Sequence, residues 1–99
     1  MAFAIFLSSS LVVRGAEPLH ALLVTGGCCH DYEAQKRILS EGISARANVT
    51  WTIVHEGHDR TNQVSIYTNA DWAKGYDVVL HNECFGFVTN VAFVFSSSL

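Results

Sequence analysis

The sequence predicts an α/β fold built on a parallel sheet, and three observations support this. Three apolar or β-branched runs, at residues 20–25, 49–55 and 76–81, have the length and composition of buried strands. Polar and reactive residues follow each run, as at the ligand-binding edge of such a sheet. The intervening segments are long enough for right-handed crossovers, which make strands parallel.

The first predicted strand and helix adjoin one another. Residues 20–25, His-Ala-Leu-Leu-Val-Thr, form the strand, which ends at Gly26 and Gly27. A helix is predicted from Asp31 to about Ala47, because the Asp31 carboxylate can cap its first turn. Apolar and amphipathic residues then recur at helical spacing: Tyr32, Gln35, Leu39 and Ile43.

The second half of the chain is predicted to contain two further strands and a long loop. Residues 49–55 are rich in β-branched and aromatic side chains and form the second strand. Residues 56–69 form a polar loop with a short extended piece at 64–67. One helical turn, closed by a glycine, is expected at 71–75, before the third strand at 76–81.

The amino-terminal segment is typical of a secretory signal. Residues 2–13 are apolar or small and uncharged, which suits a signal core but falls short of the roughly 20 residues of a membrane span. Small residues permit cleavage after Gly15 or Ala16. Because no basic residue precedes the core, a buried strand is the alternative. The sequence thus predicts an exported protein with residues 1–16 removed, residues 17–99 forming the domain and no membrane span.

Charge and cysteine content narrow the choice of partners. After residue 16, five Lys/Arg against nine Asp/Glu give a net charge of −4, and no basic run occurs. Nucleic acid and anionic membranes are therefore poor candidate partners. The three cysteines are an odd number, so they do not form a disulfide framework, although one pair could close in an oxidising compartment.

Asn90 is placed to cap a short helix beginning at residue 91.

Reactive side chains cluster after all three predicted strands. If the strands lie in the order 2-1-3, as in flavodoxin-like folds, these side chains border one crevice. They are Cys28, Cys29, His30 and Asp31 after the first strand, His55, Glu56 and His58 after the second, and His81, Asn82, Glu83 and Cys84 at the third.

The cysteines allow several chemistries. Cys84 could form a disulfide with Cys28 or Cys29, since adjacent strands bring such side chains within reach. Cys28 or Cys29 could instead be a nucleophile activated by His30 or His81, because a helix amino terminus stabilises a thiolate. Vicinal cysteines are also common as small buried packing residues, and we prefer that interpretation.

Histidines and carboxylates offer two further hypotheses. His81 and Glu83 are suited to general acid/base work, since imidazole titrates near neutral pH. A transition metal could be bound by imidazole, thiolate and carboxylate, but no metal-binding spacing motif is present. Gly26 and Gly27 would let a ligand approach the backbone beside the helix start. No nucleotide-binding glycine motif follows them.

Three motifs together resemble the ThuA-like (trehalose-utilisation) family, especially its exported members. They are Leu-Leu-Val-Thr-Gly-Gly-Cys-Cys-His-Asp-Tyr-Glu-Ala-Gln at 22–35, Trp-Thr-Ile-Val-His-Glu-Gly at 51–57 and Tyr-Asp-Val-Val-Leu-His-Asn-Glu-Cys at 76–84. The resemblance implies a flavodoxin-like, three-layer fold related to class I glutamine amidotransferases, and a role in sugar metabolism. The family domain is longer and its nucleophile elbow would lie past Leu99. The resemblance therefore implies that residues 17–99 are the amino-terminal part, with the first three strands, and that the cysteines are not that nucleophile.

The sequence as a whole predicts an exported protein that binds a sugar, of the trehalose type or a related glycoside, at the strand ends. The alternatives are a non-catalytic carbohydrate-binding or scaffold module and a metal-dependent hydrolase or isomerase. Whether the chain is an enzyme, and with which metal or cofactor, is left open. The expected pocket residues are Gly26, Gly27, His30 and Asn82 for substrate binding, with His81 or Glu83 for acid/base catalysis.

Overall fold

The described residues form a three-stranded parallel sheet with one full helix. The computed structural model describes residues 17–90 and Val94. The elements, in chain order, are β1 (Leu19–Gly27), α1 (Tyr32–Ser44), β2 (Val49–His55), a 3₁₀ turn (Ser65–Thr68) and β3 (Val78–Cys84).

The strand order confirms the predicted fold class. The sheet is parallel in the order β2-β1-β3, so the chain has the α/β architecture and the 2-1-3 order of flavodoxin-like folds. The predicted signal segment, residues 1–16, and the helix predicted from residue 91 lie outside the described residues. Within the described part of the chain, no helix is long and apolar enough to cross a membrane.

The central strand β1 carries the core. Its residues alternate between the two faces of the sheet. Leu22 and Val24 are almost fully buried and pack against Val64, Tyr67 and Trp72 on one face. Helix α1 lies on the other face, where it contacts β1 and β2. The two faces are thus covered by different parts of the chain, and this decides where each candidate site residue lies.

Helix α1 begins as predicted. The carboxylate of Asp31 accepts a hydrogen bond from the backbone N–H of Ala34 at 3.0 Å, which satisfies one of the unpaired donors of the first turn. The helix ends at Ser44, three residues before the predicted end, and the backbone N–H of Ala45 closes it on the carbonyl of Glu41.

The loop between β2 and β3 covers the face opposite α1. The extended piece predicted at 64–67 is wrong, because Ser65–Thr68 forms a 3₁₀ turn. Val64 and Tyr67 are both buried, and three residues per turn place them on the same side. The carboxylate of Glu56 fixes the turn by accepting hydrogen bonds from the backbone N–H of Ser65 at 2.7 Å and from its hydroxyl at 2.5 Å.

The third strand begins and ends later than predicted, although the turn before it agrees with the prediction. Turns over residues 70–75 end at Gly75, whose φ is +88°. At the start of the strand, the Asp77 carboxylate accepts a hydrogen bond from the His20 N–H at 2.8 Å. The backbone N–H of Asp77 also donates to the carbonyl of His20 at 2.7 Å, and β3 begins at the next residue, Val78. The ladder then continues until Cys84 lies opposite Gly27.

Candidate functional site

The two glycines at the end of β1 are required by the sheet itself. Gly26 and Gly27 have φ angles of +138° and +114°, a region that side chains with a Cβ rarely adopt. A Cβ on Gly26 would overlap the carbonyl of Glu56, and one on Gly27 would overlap the carbonyl of Cys84. We expected a ligand to lie against these two glycines. That space is instead occupied by the backbone that follows β2 and by the backbone that ends β3.

Three polar side chains meet on the face opposite α1, and we call them the Tyr67–His81–Glu83 cluster. The Tyr67 hydroxyl donates to Oε1 of Glu83 at 2.5 Å and lies 3.0 Å from Nδ1 of His81. Nδ1 of His81 lies 2.6 Å from the same Oε1. The structure thus brings both predicted acid/base residues together and adds a tyrosine to them.

The hydrogen-bond network assigns the proton on the imidazole. Because the ionised carboxylate of Glu83 can only accept, the His81 nitrogen that faces it carries the proton. In the neutral ring, Nε2 of His81 then has the free lone pair. None of the described residues makes a hydrogen bond to Nε2. This tautomer is the one that a general base requires.

Burial differs within the cluster. The side chain of His81 is 40% exposed, whereas that of Glu83 is 16% exposed. Oε2 of Glu83 is buried and has no hydrogen-bond partner in the part of the chain that the structure describes. Burial, and secondarily the hydrogen bond to Glu83, raise the pKa of Tyr67 well above its ordinary value. The phenol is therefore a proton donor to the carboxylate at every physiological pH.

Aromatic packing fixes the cluster against the core. The ring of Trp72 stands edge-on to Tyr67 at a centroid distance of 4.9 Å and to His81 at 5.8 Å. These are the separations of favourable edge-to-face pairs. Because Trp72 is buried, it restricts the orientation of both rings.

A separate cleft lies where β1 and β2 lead into the start of α1. Its volume is about 200 Å³, below the ~300–1,000 Å³ of typical drug-sized ligand sites, so it suits a small ligand. Within it, the Glu33 carboxylate lies 2.9 Å from Nζ of Lys36 and 3.3 Å from Nδ1 of His55. The hydrogen bond from Lys36 lowers the pKa of Glu33. The lining residues are Gly27, His30, Asp31, Tyr32, Glu33, His55, Gly57 and His58.

The structure does not bring all the predicted pocket residues into one crevice. Gly27 and His30 line the cleft, whereas His81 and Glu83 belong to the cluster on the other face. Asn82 points toward α1, because successive residues of a strand face opposite sides. Its amide donates to Oγ1 of Thr25 at 3.2 Å and to Oε1 of Gln35 at 3.1 Å, which are contacts between elements of the fold.

The cysteines are paired in a way that the sequence analysis did not predict. Cys28 and Cys29 form a disulfide with each other and Cys84 is a free, exposed thiol, so a Cys84 disulfide, one of the alternatives, is wrong. The preferred interpretation of Cys28 and Cys29 as buried packing residues is also wrong, because Cys29 is exposed and Cys28 is only partly buried. Cys29 has a φ of +80°, which turns the chain so that the neighbouring sulfurs meet. As a disulfide, neither Cys28 nor Cys29 is the free thiol that the nucleophile hypothesis requires.

Two residues near the strand ends could not be assigned a role from the sequence. Tyr67 lies in a polar loop, and only the apolar pair Val64 and Tyr67, three residues apart, indicated that part of this loop is buried. Arg60 extends from the same loop, and its guanidinium contacts the disulfide.

Residues 17–90 hold no group of three or more His, Cys, Asp or Glu side chains placed to bind a metal ion.

Comparison with known proteins does not identify a relative. No family model matches the chain, and neither a curated protein nor a solved structure does.

Proposed function

We propose that this chain binds a sugar or sugar derivative at the carboxyl ends of its strands and performs acid/base chemistry on it, as part of an exported ThuA-like protein. The observation that carries the proposal is the contact between Glu83 and Nδ1 of His81 at 2.6 Å. A histidine held in this way by a carboxylate presents its second nitrogen to a substrate as a base.

Each member of the cluster has a distinct part in this chemistry. Nε2 of His81 takes a proton from a sugar hydroxyl, or from the carbon next to the carbonyl of an open-chain aldose. The Glu83 carboxylate, to which Tyr67 donates, stabilises the imidazolium that forms and keeps the ring oriented. His81 then returns the proton to the product. His81 is the catalytic residue, whereas Glu83 and Tyr67 are positioning residues.

The position and polarity of the strand ends support a sugar as the ligand. In open parallel sheets ligands bind outside the carboxyl ends, where the strand order reverses, and in this sheet that is between β1 and β3. His81 lies on β3 and is paired in register with Val24 of β1. The Tyr67–His81–Glu83 cluster itself supplies hydroxyl, imidazole and carboxylate groups, which can form hydrogen bonds with sugar hydroxyls.

A deuterium-exchange experiment tests the catalytic part of the proposal. The 99-residue chain is incubated with D-glucose in D₂O, and ¹H NMR follows loss of the proton at the carbon next to the aldehyde. We expect catalysed exchange that falls about 100-fold or more in His81→Gln, the lower range of the loss of a general base. His20→Gln is the matched control, because His20 lies at the start of β1, at the opposite end of the sheet from the cluster. Equal exchange rates in His81→Gln and the wild type would refute the catalytic role.

Sugar binding is measured separately from catalysis. Tryptophan fluorescence reports on a titration with trehalose and with D-glucose, since Trp72 packs against His81. We expect saturable quenching that Glu83→Gln preserves while exchange is lost. Saturable binding with no exchange by the wild type would instead favour the non-catalytic carbohydrate-binding module. Absence of any response to either sugar would contradict the proposal as a whole.

Export is a further part of the proposal. It is supported by the uncharged apolar residues 2–13, which suit the core of a secretory signal. Mass spectrometry of the secreted chain should give an amino terminus at Ala16 or Glu17. A chain that retains residues 1–16 would contradict processing.

A further inference from the structure

We propose that the Cys28–Cys29 disulfide is a redox-active site that exchanges two electrons with an external dithiol, and that Arg60 stabilises its reduced form. The inference does not depend on sugar binding, since these residues lie outside the Tyr67–His81–Glu83 cluster. It is carried by the neighbouring pair of sulfurs, by the guanidinium that contacts both of them and by the exposure of Cys29.

Arg60 is held directly on the sulfur pair. Its Nε lies 3.3 Å from Sγ of Cys28, and its Nη2 lies 3.8 Å from Sγ of Cys29. The ring of Phe87 packs against the guanidinium, with 5.1 Å between Cζ and the ring centroid. The backbone N–H of Phe87 also donates to the carbonyl of Arg60 at 3.0 Å. The positive charge is thus fixed where negative charge develops when the bond between the sulfurs breaks.

The two cysteines differ in exposure, and this indicates the direction of attack. Cys29 is exposed, whereas Cys28 is partly buried and its backbone N–H donates to the carbonyl of Cys84 at 3.3 Å. An incoming thiolate therefore reaches Cys29 more easily. Cys28, the sulfur with the shorter contact to Arg60, is the leaving group, and a leaving thiolate is favoured by a nearby cation.

The exchange is balanced with a dithiol as the reductant. One thiolate of the dithiol bonds to Sγ of Cys29, the Cys28–Cys29 bond breaks, and the electron pair leaves with Cys28. The second thiolate of the dithiol then attacks the dithiol's own sulfur in the mixed disulfide and releases Cys29. The dithiol ends as a disulfide, two electrons have passed to the protein, and protons from the dithiol are shared between solvent and the new thiols. The reverse sequence oxidises a substrate dithiol.

The backbone of the disulfide favours such cycling. Cys29 adopts a φ of +80°, a left-handed conformation that is unfavourable for a residue other than glycine and that clusters at functional sites. Reduction frees the two sulfurs from each other and removes the covalent requirement for this conformation. The pair is therefore suited to repeated opening and closing more than to permanent cross-linking, since it joins adjacent residues and closes no loop of the chain.

A redox titration tests the proposal. The chain is equilibrated with mixtures of reduced and oxidised dithiothreitol, alkylated, and mapped by mass spectrometry. We expect Cys28 and Cys29 to become alkylated together at one midpoint and reversibly, whereas Cys84 is alkylated throughout. After reduction, phenylarsine oxide should bind one to one and protect both thiols. If the pair is reduced only when circular dichroism shows unfolding, or if reoxidation joins Cys84 to either partner, the proposal fails.

Matched charge variants test the role of Arg60. In Arg60→Gln the equilibrium constant for reduction should fall by about threefold to tenfold, because the thiolate loses its cation. Arg37→Gln removes the same charge from the exposed face of α1 and should titrate like the wild type. Arg60→Lys should lie between the two, since an ammonium keeps the charge but not the two-pronged contact. Arg60→Gln and Arg37→Gln agreeing within twofold would overturn the assignment of Arg60.

Discussion

Removing one hydroxyl group should change how the stability of the protein depends on pH. Tyr67→Phe keeps the ring against Trp72 and deletes the group that donates to Oε1 of Glu83 at 2.5 Å. The pKa of Tyr67 in the folded chain is raised above its ordinary value of 10.0, by burial first and then by Glu83. Above that pH the unfolded chain releases the phenol proton and the folded chain retains it. The free energy of unfolding of the wild type must therefore fall as pH rises, and that of Tyr67→Phe lacks this component.

Tyr67→Phe has two opposite effects of similar size on the free energy of unfolding. Loss of the hydrogen bond to Glu83 destabilises the variant, whereas loss of the phenol spares it the decrease in stability at alkaline pH. Near neutral pH, loss of a hydrogen bond to a charged group costs of order 1.5–3 kcal/mol, and the lower end applies because His81 still contacts the same oxygen. At about pH 11, retention of the phenol proton lowers the free energy of unfolding of the wild type by up to about 1.4 kcal/mol. The decrease is smaller to the extent that solvent reaches the hydroxyl. The wild type should thus be more stable by about 1.5 kcal/mol at neutral pH and nearly equal to the variant at about pH 11.

Urea denaturation at several pH values measures this difference. Unfolding is followed by tryptophan fluorescence, and both chains carry Cys84→Ser so that the free thiol cannot attack the disulfide in alkali. A stability difference that stays constant from neutral pH to about pH 11 would refute the reasoning, because the phenol would then titrate alike in the folded and unfolded chains.

Two further predictions concern the backbone at the sheet edge and the helix start. Gly26→Ala should destabilise the fold by about 3 kcal/mol or more, because its Cβ would overlap the carbonyl of Glu56 in a left-handed conformation. Gly42→Ala is the control in α1, where a Cβ meets nothing within 4 Å, and it should stabilise by about 0.5–1 kcal/mol. Asp31→Ala should cost about 1 kcal/mol by removing the cap on Ala34, with no effect on the slope of unfolding in urea. Urea midpoints check all three, and a neutral Gly26→Ala or Asp31→Ala would contradict the geometry described here.

Local patterns predicted most of the fold, because each depends on residues close together in the chain. The β-branched run at 49–55 gives β2 its observed bounds, and the Asp31 cap gives α1 its observed start. The shift of β3 has a different origin. At the start of the strand the Asp77 carboxylate accepts from a backbone N–H 57 residues earlier, and at its end Cys84 pairs with Gly27 of β1; no local pattern contains these contacts.

The candidate site was predicted less completely for the same physical reason. The sequence placed His81 and Glu83 two residues apart on a strand, and period-two alternation puts them on one face. The same alternation places Asn82 on the opposite face. The predicted residues therefore lie in two places, the cluster and the separate cleft, and not in one crevice. Tyr67 joins the cluster only through tertiary packing, from 14 and 16 residues away. The disulfide was missed because it depends on a left-handed Cys29, a residue type that rarely adopts that conformation.

The hydrogen bonds between Glu56 and Ser65 lower the conformational entropy that a ligand would have to overcome on binding. They order the start of the 3₁₀ turn, and Tyr67 lies two residues further along that turn. Fixing each backbone residue costs about 1–2 kcal/mol of conformational entropy, and here that cost is met during folding. The cluster on β3 is thereby preorganised from across the sheet by the residue that follows β2. A ligand arriving at His81 would find its partners already immobilised, so its own contacts would contribute to affinity without first ordering the loop.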